Sequence, residues 1–459
     1  VNDEVEESAM TTAVRGDAWE ARPGAEGHRP GAGGEAYGEY HALLARQDAM
    51  RLRQRLLSPG RAAAPAATAP APAAGTVPGP RDQETIRRYL PLVTPFGELI
   101  EHLYRAMFEQ HPYLRGLFPD SMEFQRAHLE RAFWFLIENL DRPDEIAAFC
   151  GRLGRDHRKL GVRPAHFAVF EAALAEGLRR GAGPGWVPEL EEAWLRMIRF
   201  AVDAMVAGAE GAVGEPVSWN ATVTGHELRR PGLAVLRVRT AEPFPYEAGQ
   251  YASVESPALP HAWRPYSIAC APRPDGELEF HVRRTAPGGL SDVLVNRTRP
   301  GDALRLGPAR GTAVLDGDPA RDVLLVAGGT GWATAKALVE ELAARRPAGR
   351  TAHLFLCART LDDLYDTAAV AELERGRPWL RVVPVVDGRP GDPAAGSPAE
   401  AVARHGDWSG HVAYVSGPPA MVASVVERLA AAGTPAERLR HDPVGGPVPL
   451  APRPVPVLV

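Results

Sequence analysis

The stretch VLLVAGGTGWATAKAL (323–338) runs from an apolar segment through a glycine-rich turn into a helix-forming segment. Gly328, Gly329 and Gly331, with Thr330 among them, let main-chain amides approach a pyrophosphate, and the helix N-terminus adds a favourable dipole. A second strand-end turn, SGPPAM (416–421), offers Ser416, Gly417 and Pro418 further along. Acids in RTLDDLYD (359–366) suit free ribose hydroxyls and repel a 2′-phosphate, which favours NADH; Arg359 argues for NADPH as the alternative. Elsewhere, LGRDHRKLGVRPAHF puts His157 at the end of a helical segment, ahead of a short loop and the helix-starting Pro164. A neutral imidazole there can ligate a metal. One histidine among 14 is ordinarily a surface or satisfied core residue, so its neighbours must decide. The three cysteines form no CxxC pair and are too few for a cluster held by four thiolates.

Those residues need scaffolds, and the 459-residue chain is long enough for two to four. Residues 1–81 read as a disordered, Gly-rich start, a short helix (39–57) and a Pro/Ala linker. Residues 82–212 are expected to form an all-α domain, because apolar residues recur at helical spacing through segments such as IRRYLPLVTPFGELIEHLYRAMFEQ. Pro112, Pro143, Pro164 and Pro188 mark the seams. At residue 215 the period changes. SWNATVTGHEL, LAVLRVRTA, QYASVES and ELEFHVRRT predict an antiparallel β-barrel domain over 215–318. Strands then alternate with helices over 320–446, which predicts an α/β domain on a parallel sheet, followed by a Pro-rich tail at 447–459.

A net charge of −5 with no basic stripe argues against a nucleic-acid partner. No apolar run of about 18 residues is present to span a membrane. The acidic start does not resemble a secretory signal, and unpaired cysteines suit a reducing compartment, so a cytoplasmic protein is expected.

In chain order, AGQY (248–251), RPYS (264–267), GGLS (288–291), GGTG (328–331) and SGP (416–418) resemble the ferredoxin–NADP reductase superfamily. That resemblance implies FAD and a nicotinamide dinucleotide. Arg264, beside Pro265, would hold the FAD pyrophosphate, Tyr266 would lie against the flavin, and Ser267 would hydrogen-bond near its N5. Tyr251 would lie near the FAD, and Gly288, Gly289, Leu290 and Ser291 would cradle the diphosphate. The preceding all-α domain resembles the globin of flavohaemoglobins. In that family the pattern makes His157 the ligand of haem b iron, Tyr104 of HLYRAMF the distal tyrosine, Gln125 of FQRAHL the second distal polar group, and Phe118 of LRGLFPDS the ring on the haem.

Several positions depart from the family pattern. Phe167 and Ala209 stand where a tyrosine and a glutamate usually support the proximal histidine, with Glu210 one residue away. Asp156 replaces a lysine, Ser416 a cysteine, Thr334 a proline, and Val444 the aromatic residue that covers the flavin. The resemblance implies electron flow from NADH through FAD to haem, with dioxygen and nitric oxide as small-molecule partners and nitrate as product. Two other readings stay open: a haem-linked NAD(P)H oxidoreductase without productive nitric oxide chemistry, and a haem-based redox or gas sensor whose N-terminal helix meets a partner. A monooxygenase reductase component fits less well, because cluster-binding cysteines are missing and the all-α domain occupies the front of the chain.

Overall fold

The computed structural model describes residues 77–315, 321–345, 349–386 and 397–442. The expected N-terminal helix at 39–57, Val444 and the Pro-rich tail lie outside the described residues.

Six helices come first: α1 (Pro80–Tyr89), α2 (Phe96–Gln110), α3 (Glu123–Glu138), α4 (Pro143–His157), α5 (Pro164–Ala182) and α6 (Pro188–Gly211). Pro143, Pro164 and Pro188 each open a helix, where their missing N–H would have had no partner in any case. The run from Ile86 to Gln110, read from sequence as one helical segment, is broken between Tyr89 and Phe96. Pro91 and Pro95 cannot donate the hydrogen bonds that a continuous helix needs there. Buried Phe96, Phe133 and Trp194 meet edge to face at the centre of this domain. Helices α4 and α6 touch backbone to backbone: a Cβ on Gly154 would fall on the Met205 carbonyl, and one on Gly208 on that of Gly151. Glycines at the crossing draw the helix that ends in His157 tightly onto α6.

The barrel contains β1 (Trp219–Arg230), β2 (Leu233–Thr240), β3 (Tyr251–Ser256), β4 (Leu259–Ser267), β5 (Glu277–Arg283), the short α7 (Leu290–Asn296) and β6 (Ala303–Leu306). Its sheet order is β4-β3-β6-β1-β2-β5, antiparallel throughout. An Ile268–Phe280 bridge brings the outer strands together, so the sheet curls closed. Strand β4, which carries RPYS, did not stand out in the sequence because Pro260 and Pro265 interrupt its alternation.

The last unit has β7 (Val323–Gly328), α8 (Trp332–Arg345), β8 (Ala352–Ala358), α9 (Thr367–Arg375), β9 (Leu380–Val386), α10 (Pro398–His405), β10 (Val412–Ser416), α11 (Pro419–Ala431) and β11 (Leu439–Arg440). Its parallel sheet is ordered β11-β10-β7-β8-β9. Every residue of β7 is buried, as a central strand covered on both faces requires. The order reverses between β7 and β10, and ligands of such sheets bind at the carboxyl ends of strands at that switch. No helix among the described residues is long and apolar enough to cross a membrane.

Candidate functional site

The glycine-rich turn and SGP meet at the carboxyl ends of β7 and β10. A Cβ on Gly331 would strike the Ser416 carbonyl and lie 2.7 Å from the Gly417 nitrogen; one on Gly328 would lie 2.5 Å from Met421 Sδ. At Gly331 glycine is therefore required by close backbone approach. The Ser416 hydroxyl donates to the Gly331 carbonyl at 2.8 Å, tying the two strand ends together. A cleft of 370 Å³ opens above them, lined by all of Gly328–Gly331 and Ser416–Pro418, by Thr334, and by Ser267 and Arg283 from the barrel. Residues separated by some 150 positions in sequence thus share one wall, with the barrel's Ser267 facing the dinucleotide turn. Arg283 and Asp442 also line the cleft and were not foreseen; burial raises the Asp442 carboxyl.

On the barrel, β3 and β4 pair so that Tyr251 lies opposite Ser267 and Ala252 opposite Tyr266. AGQY and RPYS are therefore one antiparallel surface. Burial pushes the Tyr266 hydroxyl up, so it stays a protonated donor. Arg264 donates to the Trp263 carbonyl at 2.8 Å and stacks over Phe124 at 3.5 Å from the ring centroid. Its guanidinium thus leans on the all-α domain. In GGLS, the Gly288 amide donates to Asp292 at 3.0 Å, and the Ser291 hydroxyl accepts from the Thr285 amide at 3.1 Å. Gly288 adopts φ +72, a turn conformation that suits glycine. This loop is held in shape by its own side chains, with Gly289 and Leu290 opening α7.

In the all-α domain His157 is the last residue of α4. Its Nδ1 donates to the Leu153 carbonyl at 2.8 Å, which fixes the tautomer and leaves Nε2 with a lone pair able to ligate a metal. Burial lowers the imidazole pKa and favours the neutral form. Phe167 and Ala209 lie on α5 and α6, and neither side chain can accept a hydrogen bond; the observed partner of His157 is the Leu153 main-chain carbonyl. Tyr104 is buried on α2, with ring centroids of Phe108 and Phe118 at 5.8 and 5.6 Å. Burial holds its phenol well above the ordinary tyrosine range. Gln125 Oε1 is buried without a protein partner. The Nε2 of His157, an orphaned amide oxygen and aromatic walls fit a flat iron porphyrin.

The acids after β8 do other work than expected. Asp363 accepts from Arg230 at 2.8 Å, with Arg283 3.6 Å away, and Asp366 accepts from Trp332 Nε1 at 2.9 Å, with Arg229 at 3.6 Å. They bind the barrel to the last domain, and their charge is compensated. Asp362 and Arg359 remain exposed, so the NADH argument narrows to that opposed pair. Between the barrel and the last domain lies a buried network that sequence reasoning missed. The Lys336 ammonium donates to the Ala269 carbonyl at 3.0 Å and to Glu279 and Glu340 at 2.9 Å each. His281 Nε2 donates to Glu279 at 3.0 Å, and its Nδ1 accepts from the Tyr365 hydroxyl at 2.7 Å. Charged residues inside the apolar strand ELEFHVR were the available signal.

Comparison with known proteins follows the same division. Residues 101–205 match the globin model, 220–314 the oxidoreductase FAD-binding domain and 325–427 the oxidoreductase NAD-binding domain. The chain is 28% identical over 287 residues to the flavohemoprotein of Bordetella pertussis, covering 58% of this chain and 71% of that one. It is 27% identical over 237 residues to the reductase component of phenol 2-monooxygenase from Pseudomonas sp. strain CF600, covering 50% of this chain and 67% of that one. Among solved structures, a flavohemoglobin from Malassezia yamatoensis with bound FAD and heme aligns with a TM-score of 0.64 at 17% identity, over 79% of this chain and 98% of that one. That likeness is one of fold.

Proposed function

The chain belongs to the flavohaemoglobin family, an oxidoreductase architecture of globin, FAD-binding and NAD-binding domains, and on that premise we propose that it oxidises nitric oxide to nitrate with dioxygen, using NADH as donor. When bound, FAD would supply the exchange of a hydride for single electrons, and haem b would supply one-electron redox chemistry and oxygen affinity. The residues do the rest. Gly328–Gly331 and Ser416–Pro418 hold the dinucleotide across the strand ends, and Ser267 borders the same cleft from the flavin side. Arg264, Tyr266 and Tyr251 with the GGLS loop hold the FAD, and His157 Nε2 holds the haem.

The observation that carries the nitric oxide reading is Tyr104. A buried phenol whose pKa is raised by burial remains an O–H donor at neutral and alkaline pH, fit to hydrogen-bond dioxygen on the distal side. Gln125, with its orphaned amide, is the second polar group. The test is NADH-dependent nitric oxide removal under air, with nitrate quantified. Wild type should yield nitrate. Tyr104→Phe should be slower by about one to two decades, since a hydrogen bond to a polarised ligand contributes roughly 1.5–3 kcal/mol. An unchanged rate in Tyr104→Phe would remove the tyrosine from its role.

A second reading, a haem-linked reductase without nitric oxide turnover, is favoured by one contact. The Nδ1–H of His157 meets the neutral Leu153 carbonyl instead of a carboxylate, which makes the imidazole a weaker electron donor to iron. Rapid haem reduction without nitrate would select it.

A further inference from the structure

Asp156 stands immediately before His157, in the last turn of α4, where the helix dipole disfavours an acid. Its partner is not in the globin. Arg310 of the barrel donates to Asp156 Oδ1 through Nη2 at 2.8 Å and Nε at 3.3 Å. The main chain of Arg310 is fixed in turn. Its amide donates to the Tyr251 carbonyl and its carbonyl accepts from the Tyr251 amide, both at 2.8 Å. One residue thus grips the strand that carries the flavin-side tyrosine and the helix end that carries the histidine. Two neighbours extend the contact: Arg158 donates to the Glu215 carbonyl at 3.1 Å, and the Lys159 ammonium lies 5.2 Å from the Trp263 ring centroid.

We propose that Asp156 and Arg310 are positioning residues that set how the flavin barrel docks on the end of the His157 helix, and so how fast electrons pass from flavin to haem. The proposal rests on the assignments of His157 and Tyr251 made above. Neither residue touches a reacting atom. The pair is partly exposed, with side-chain exposures of 26% for Arg310 and 35% for Asp156, so its loss leaves both domain cores intact while releasing their register. Reversing one charge places two like charges where the bond was.

The test uses the full chain loaded with haem and FAD, as wild type, Asp156→Lys, Arg310→Glu and the double exchange. Anaerobic stopped-flow with NADH reads flavin reduction and haem reduction separately. Flavin reduction should keep the wild-type rate in all four proteins. Haem reduction should slow about tenfold in each single variant, the scale of a small misplacement, and recover in the double exchange. Hydrogen exchange over 155–163 and 305–312 should quicken in the singles and return to normal in the double. Wild-type haem reduction in Arg310→Glu, whose substitution lies outside the globin, would overturn the proposal. So would a double exchange no faster than the singles, because the pair would then not act through docking. Failure of the underlying assignment reads differently: His157→Ala would keep its haem.

Discussion

Replacing Gly331 with alanine tests the dinucleotide turn at its tightest point. The new Cβ would fall on the Ser416 carbonyl oxygen and lie 2.5 Å from its carbon and 2.7 Å from the Gly417 nitrogen. These are main-chain atoms of β10, tied back by the Ser416 hydroxyl bond, so no flexible side chain can yield. Overpacking of this kind costs about 1–3 kcal/mol, and a backbone neighbour puts the cost at the upper end. Relief comes by parting β7 from β10, which widens the cleft where both turns must close on one dinucleotide. About 3 kcal/mol expressed at that site weakens NADH roughly a hundredfold. Gly329→Ala is the control. There φ is +54 and the nearest atom to a Cβ is Arg283 Nη1 at 3.6 Å, so only left-handed strain of about 1–2 kcal/mol applies. Anaerobic flavin reduction at rising NADH gives the apparent Kd of each. The expected order is wild type, then Gly329→Ala, then Gly331→Ala, with haem and FAD content constant because those domains have their own cores. Equal affinity in Gly331→Ala and Gly329→Ala would show that the turn does not close against β10 when the dinucleotide binds.

Other outcomes follow from the same geometry. His157→Ala should fold but lose its Soret band, since Nε2 is the proposed iron ligand; a haem-replete variant with an unchanged spectrum would refute the assignment. Arg264→Ala should lose FAD while keeping haem, read by cofactor content after gel filtration. At Glu279, burial alone would raise the carboxyl, but the His281 hydrogen bond and the Lys336 ammonium outweigh it and hold it well below the usual carboxylate range. Its contribution is therefore complete above the unfolded carboxylate pKa of about 4.3 and is lost as pH falls below that value. Glu279→Gln should cost about 3 kcal/mol at neutral pH by stranding buried charge, and its Tm should fall less steeply than that of wild type under acid. Parallel acid melting curves would contradict this.

What the sequence made legible was what local backbone chemistry dictates. GGTG after an apolar run needs no partner to be read, because three glycines between a strand and a helix serve close backbone approach wherever they occur. The switch from helical to alternating period at residue 215 is likewise local, and β1 begins at Trp219. RPYS and AGQY were readable singly, whereas the pairing of Tyr251 with Ser267 depends on register across two strands. Asp363 and Asp366 looked like ribose-facing acids because their spacing after β8 was visible and Arg229 and Arg230, more than 130 positions away, were not. Lys336 was illegible for the same reason: its ligands Ala269 and Glu279 arrive from the barrel, 67 and 57 residues back. Asp156 could be noticed only as a missing lysine until Arg310, 154 residues on, supplied its purpose.

The two interfaces of the barrel differ in kind. Toward the NAD-binding domain, Lys336, Glu279, His281 and Tyr365 are joined in a buried network in which removal of one member strands the rest, at several kcal/mol. Toward the globin, the contacts include a partly exposed ion pair, a stacked Arg264–Phe124, a Lys159–Trp263 pair and an exposed Arg158 bond to the Glu215 carbonyl, each contributing at most about 1–2 kcal/mol. Hydride transfer needs two rings held in contact, and Lys336 and Ala269 of the stiff interface follow by two residues Thr334 and Ser267, which line the cleft. Single-electron transfer requires less exact contact, so a lighter joint suffices on the globin side. Because that joint is light, one exchanged charge beside His157 has leverage there that it would not have in the buried network.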